Sequence, residues 1–115
     1  MNSKMESKTL LHLRSTEFDK EILQAKVPAV VDFYADWCGP CRMVSPVIES
    51  LSREYDGKVI FAKVDTDANQ DLSERYGVMS IPTVFIFKDG EIKERIVGAA
   101  PEASYRKKID AVLKS

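Results

Sequence analysis

The chain has 115 residues, 44% of them hydrophobic, enough for one domain with a single sizeable core. Its 17 basic and 18 acidic residues leave a formal charge of -1, and no basic run is longer than Arg106-Lys107-Lys108. That balance argues against a nucleic-acid or anionic-membrane partner and leaves proteins or small molecules.

Residues 1–8 read as a flexible polar lead-in and residues 9–115 as one domain. The start carries no apolar run resembling a signal peptide or a spanning helix, so the expectation is a cytoplasmic protein with no membrane partner. A short strand is expected at residues 10–13. Ser15 or Thr16 is placed to cap a helix with Glu17 and Asp19 in its first turn and Pro28 beyond its end. Residues 29–35 are apolar on both alternating faces except at Asp32, as a central strand covered by helices on each side should be.

A helix is expected over residues 38–55, because Val44, Val47, Ile48, Leu51 and Tyr55 recur at helical spacing on one face. Pro46 removes one of its hydrogen bonds and should bend it. Residues 59–64 form a second inner strand, followed by a helix that carries Leu72 and Tyr76 and ends at Gly77. The apolar runs 83–87 and 91–97 flank Lys88-Asp89-Gly90, and an Asp-Gly pair between such runs predicts an antiparallel hairpin. Pro101 opens a final helix with Tyr105, Ile109, Val112 and Leu113 expected on its buried side. Strands alternating with helices, then a hairpin and a last helix, imply an α/β domain with a mixed sheet between helices.

The chain's 2 cysteines, Cys38 and Cys41, sit in Trp37-Cys38-Gly39-Pro40-Cys41, directly after the central strand and at the start of the long helix. A disulfide closing so small a loop stabilises a fold little, so the pair reads as redox chemistry or metal binding. A tetrahedral zinc or iron-sulfur site needs four ligands, and His12 is the sole histidine, so no metal is expected within one chain. Inert core thiols are a further reading, but a helix start flanked by Gly and Pro is poor core material.

Together, Asp32-Phe33-Tyr34-Ala35, Trp37-Cys38-Gly39-Pro40-Cys41, Pro46, Ile81-Pro82-Thr83 and Lys88-Asp89-Gly90 resemble the thioredoxin family over residues 9–114. Tyr34, Arg42 and Met79-Ser80 depart from the commonest residues of that family, and Met79-Ser80 bears on which proteins dock. The resemblance implies a central five-stranded mixed sheet flanked by four helices, in agreement with the elements above. It implies a protein-disulfide reductase with no cofactor beyond the cysteine pair, acting on disulfide-containing target proteins and recycled by a thioredoxin reductase; a monomer is expected. Rivals on the same fold are an oxidase or isomerase, and a binding subunit for which the thiols do not matter.

Within that chemistry Cys38 is the nucleophile, activated by the helix N-terminus, and Cys41 is the resolving thiol. Asp32 shares an inner face with Val30 and Tyr34, so its carboxyl should be desolvated, its pKa raised, and placed to take the Cys41 proton. The alternative is an ordinary solvated aspartate. Lys63 resembles the family lysine that pairs with this carboxyl, or is a plain surface lysine. The resemblance also implies a cis bond before Pro82. Trp37, Gly39, Pro40, Met79, Ile81, Pro82, Gly98 and Ala99 are expected to form an apolar docking patch around Cys38; for Trp37 the alternative is plain core.

Overall fold

The computed structural model describes residues 9–115, so the expected lead-in at residues 1–8 lies outside the described residues. Its strands are β1 (Leu10–His12), β2 (Ala29–Tyr34), β3 (Ile60–Asp65), β4 (Thr83–Lys88) and β5 (Glu91–Val97). They form one sheet in the order β1-β3-β2-β4-β5. The first three are mutually parallel, whereas β4 runs antiparallel to β2 and β5 antiparallel to β4. The mixed five-stranded sheet is the expected one. β2 occupies its centre because five of its six residues are buried, and only a strand with a neighbour on each edge and helices on each face can bury so much.

Four helices cover the sheet among the described residues. Helix α1 (Ser15–Phe18) runs on without a break as a π-helical stretch, Asp19–Leu23; α2 is Gly39–Glu54, α3 is Gln70–Arg75 and α4 is Glu102–Lys114. Strand alternation decides which helix meets which face. Val30, Phe61, Val84, Ile86 and Ile96 point to one side and pack with Val44, Ile48 and Leu51 of α2 and Tyr105, Ile109 and Val112 of α4. Ala29, Val31, Phe33, Ala62, Val64, Phe85 and Phe87 point to the other and pack with Phe18, Ile22 and Leu72. Burying a side chain such as Ile48 or Phe18 contributes about 1.5–3 kcal/mol, so the two layers supply the main drive for folding. Tyr55 Oη donates to Asp110 Oδ1 at 2.6 Å and Arg106 pairs with Glu54 at 2.7 Å, joining the end of α2 to α4.

The hairpin forms as expected. Asp89 at φ 54° and Gly90 at φ 79° make a two-residue turn, the left-handed conformation that an Asp-Gly pair accepts and most residues resist. Three local expectations need correction. Neither Ser15 nor Thr16 caps α1: the cap is Arg14, whose N–H donates to Glu17 Oε1 at 3.1 Å, while the Ser15 N–H is taken by Asn69 Oδ1 at 2.9 Å. Leu113 is not in the core; it lies 36% exposed, one residue round the helix from buried Val112. Pro101 stands as the N-cap of α4 rather than within it. Helix α2 continues through Pro46.

Candidate active site

Strand β2 ends at Tyr34, and a tight turn, with the Cys38 N–H on the Ala35 carbonyl at 3.2 Å, carries the chain to the start of α2. Cys38 is therefore the N-cap of α2, with extended backbone at φ -89°, and Gly39 is the first helical residue. Pro40 sits in the first turn, where a missing N–H costs no helical hydrogen bond. The backbone N–H of Cys41 donates to Cys38 Sγ at 3.2 Å, so the sulfur takes the capping place that a serine or aspartate oxygen usually holds. Cys38 and Cys41 are joined as a disulfide with their Cα atoms 5.2 Å apart, which is ordinary disulfide spacing.

Around this pair the chain builds a rim. The Ile81–Pro82 bond is cis, and the Ile81 carbonyl oxygen lies 3.8 Å from Cys38 Sγ. The Gly98 N–H donates to the Pro82 carbonyl at 2.8 Å, which fastens the loop after β5 to the one before β4. Trp37 is 68% exposed and Met79 95% exposed, so the tryptophan is not a core residue. The indole is held in place, with Nε1 donating to Asp67 Oδ2 at 2.8 Å. A shallow cleft of about 250 Å³ lies between Trp37, Asp67, Met79 and Ile81. Gly39, Pro40 and Ala99 are exposed, Ile81 and Gly98 half-buried, and Pro82 buried.

Beneath the turn, Asp32 is 1% exposed and neither carboxylate oxygen has a hydrogen-bond partner among the described residues. Desolvation pushes its pKa up from the usual carboxylate value to about 6, against the opposing pull of the Lys63 charge. Asp32 and Lys63 are partners in the β2–β3 register. The lysine nevertheless gives its hydrogen bond elsewhere: Nζ donates to Ser45 Oγ at 2.7 Å and stands 4.2 Å from the Tyr34 ring centroid. Lys63 thus acts on Asp32 as a nearby charge rather than as a bonded partner. It also lines a cleft of about 170 Å³ with Cys41, Ser45, Tyr34 and Arg42, which brings the lysine to the buried side of the cysteine pair.

All the residues singled out from the sequence come together at one end of the sheet, on the turn before α2, the loops before β4 and after β5, and the strands beneath. Sequence reasoning missed Asp67, Ser45 and Met43. Asp67 follows the end of β3, and its role as indole acceptor depends on where that strand ends beside Trp37. Ser45 lies one turn into α2 on the sheet-facing side, a position that the helical period alone identifies. Met43, 71% exposed, borders a groove of about 350 Å³ with Val47, Ala99 and Pro101. Among the described residues no group of three or more His, Cys, Asp or Glu is placed to hold a metal ion. No described helix is long and apolar enough to cross a membrane.

Comparison with known proteins agrees with this arrangement. The thioredoxin family model matches residues 9–111. Over 89% of this chain, thioredoxin M4, chloroplastic, of Arabidopsis thaliana is 42% identical, and the match covers 53% of that protein, so the chain spans about half its length. Thioredoxin 1 of Nostoc sp. is 47% identical over 76% of this chain and 81% of its own. A thioredoxin of Chlorobaculum thiosulfatiphilum is 47% identical over 81% of this chain and 86% of its own. With the family model covering nearly the whole described chain and the disulfide placed at the start of α2 beside a cis-proline, the chain belongs to the thioredoxin family.

Proposed function

We propose that this protein is a protein-disulfide reductase in which Cys38 is the nucleophile and Cys41 the resolving thiol. The observation that carries the reading is the disulfide at the N-terminus of α2, with Cys38 Sγ accepting the Cys41 N–H. In the reduced protein, that amide and the positive end of α2 favour the Cys38 thiolate, the form that attacks disulfides. The thiolate attacks one sulfur of a target disulfide, forming a mixed disulfide and releasing the other target sulfur as a thiolate. Cys41 then loses its proton and attacks Cys38 Sγ, which closes the Cys38–Cys41 bond and frees the second target thiol. Two electrons pass to the target, and a thioredoxin reductase restores the dithiol. The second attack is fast because the two sulfurs are held adjacent.

Asp32 is the base that takes the Cys41 proton. A carboxyl near 6 is mostly ionised at neutral pH yet basic enough to accept a proton, and Lys63 steadies its anion. Target proteins dock on Trp37, Gly39, Pro40, Met79, Ile81, Pro82, Gly98 and Ala99, an apolar rim with backbone groups beside Ile81 open to an extended segment. The cysteine pair is the whole redox centre, with no further cofactor. We read the protein as a monomer of the cytoplasm, where a reductase can keep the pair reduced. Cell fractionation and sedimentation test those two points.

The chemistry is tested by trapping. The Cys41→Ser variant, mixed with a disulfide-containing protein substrate, accumulates a mixed disulfide at Cys38, whereas Cys38→Ser forms none. Reduction of the substrate by a Cys38→Ser, Cys41→Ser double variant at the wild-type rate would leave the fold, and not the thiols, as the functional element.

A further inference from the structure

Three ionisable side chains form one row across the parallel half of the sheet. In the register His12 of β1 is opposite Lys63 of β3, and Lys63 is opposite Asp32 of β2. Side chains in register on neighbouring strands share a face, so all three point toward α2. The helix meets this row with Ser45, which holds Lys63 Nζ at 2.7 Å, and one turn further on with Glu49, whose charge acts on His12. Lys63 is thus pinned at the middle of the row, with an exposed imidazole on one side and a buried, unbonded carboxyl on the other.

We propose that His12 is a positioning residue for Asp32, its protonation helping Lys63 to hold the carboxyl ionised as the pH falls. This rests on the reading of Asp32 as the base for Cys41. A proton on His12 adds a second positive charge to the row. With Lys63 held by Ser45, both charges stabilise the Asp32 anion from the same side. The resolving step then persists further into the acidic range than an isolated buried carboxyl would allow.

The groups around the row are consistent with that role. His12 is held below its usual pKa, first by desolvation of the part of its ring that lies against the protein and then by the Lys63 charge, with Glu49 of α2 opposing. The Lys63 charge thus acts on both its register neighbours, lowering the pKa of His12 and opposing the rise at Asp32. Lys63 is the charge that acts on Asp32 from β3; α4 contributes Tyr105 and β2 itself Tyr34, both uncharged at these pH values, and β4 places apolar Val84 opposite. Two strand spacings separate His12 from Asp32, about 10 Å, at which one charge moves a neighbour's midpoint by roughly 0.3 to 1 pH unit.

The test is a carbon-13 NMR titration of the Asp32 carboxyl in the oxidised full chain, assigned with Asp32→Asn, for the wild type, His12→Gln and His12→Lys. The Asp32 midpoint in His12→Lys is expected below that in His12→Gln by roughly 0.3 to 1 pH unit. The wild type should follow the glutamine variant at high pH and approach the lysine variant at low pH. A merely structural role for His12 moves both variants alike, and superimposed curves for the two overturn the proposal. Turnover of the same variants separates this from the reading beneath it. A difference in midpoint with no matching difference in the acidic limb of the resolving rate keeps the coupling and removes Asp32 as the base.

Discussion

Asp32 and Lys63 stand opposite each other on neighbouring parallel strands, yet the lysine amine bonds to Ser45 and the carboxylate has no hydrogen-bond partner among the described residues. Burial destabilises the carboxyl as an anion, the Lys63 charge offsets only part of this, and the pKa rises from 3.8 to about 6. Since the folded state binds this proton more tightly than the unfolded chain, stability contributed by the protonated form is full below about 4 and is lost as the pH rises through 6. A shift of this size corresponds to about 3 kcal/mol. Asp32→Asn removes the penalty, so denaturant unfolding at pH 7 should show the variant more stable by roughly 1–3 kcal/mol, with a flatter stability profile between pH 4 and 6. Equal profiles for the two proteins would mean that the carboxyl is solvated.

The same substitution has an opposite consequence for chemistry. At pH 7, Asp32→Asn should lengthen the life of a mixed disulfide with a substrate thiol by about tenfold or more, because Cys41 loses its proton acceptor. The deficit should shrink below pH 6, where the wild-type carboxyl is itself protonated. Rapid acid quenching of the intermediate measures both. An unchanged lifetime at pH 7 would remove Asp32 from the resolving step.

The indole of Trp37 is held over the site by a single bond to Asp67. Asp67→Ala frees it, and because Trp37 is the chain's only tryptophan, its fluorescence reports the change without interference. We expect altered emission, a raised KM for protein substrates by a few-fold, and little change in the unfolding midpoint, since the residue is on the surface. A wild-type KM with altered emission would take the indole out of docking.

The hairpin turn is a test remote from the chemistry. Gly90 adopts φ +79°, and a Cβ there would come within 3.3 Å of the Leu23 carbonyl oxygen. Gly90→Ala should therefore cost about 1–2 kcal/mol, read as a lowered Tm, with reductase activity kept at temperatures where the variant is folded.

Much of this arrangement is legible in the chain because the decisive signals are local. The two-sided apolar run of β2 with its lone Asp32, the helical spacing from Val44 to Tyr55, and the Asp89-Gly90 turn each specify their element without outside help. The cysteines, Trp37 and Pro82 are legible through a motif. What escapes the sequence is set by partners distant along the chain. Lys63 reads as a partner for Asp32, and the register does set the two opposite each other, but the helix above brings Ser45 within reach of the amine. His12 joins the row only because β1 pairs with β3, a parallel pairing that no local pattern encodes. The cap at Arg14 depends on Asn69 claiming the Ser15 amide, and Leu113 falls outside the core because α4 turns it just past the buried edge.

The central claim is that Cys38 and Cys41 form a reducing pair, and their reduction potential tests it most directly. Equilibrating the protein with thiol-disulfide buffers and quantifying both forms should give a value near -270 mV, about that of thioredoxins. A value near -120 mV, about that of a strong thiol oxidant, would contradict the account and make the protein an oxidase or isomerase on the same fold.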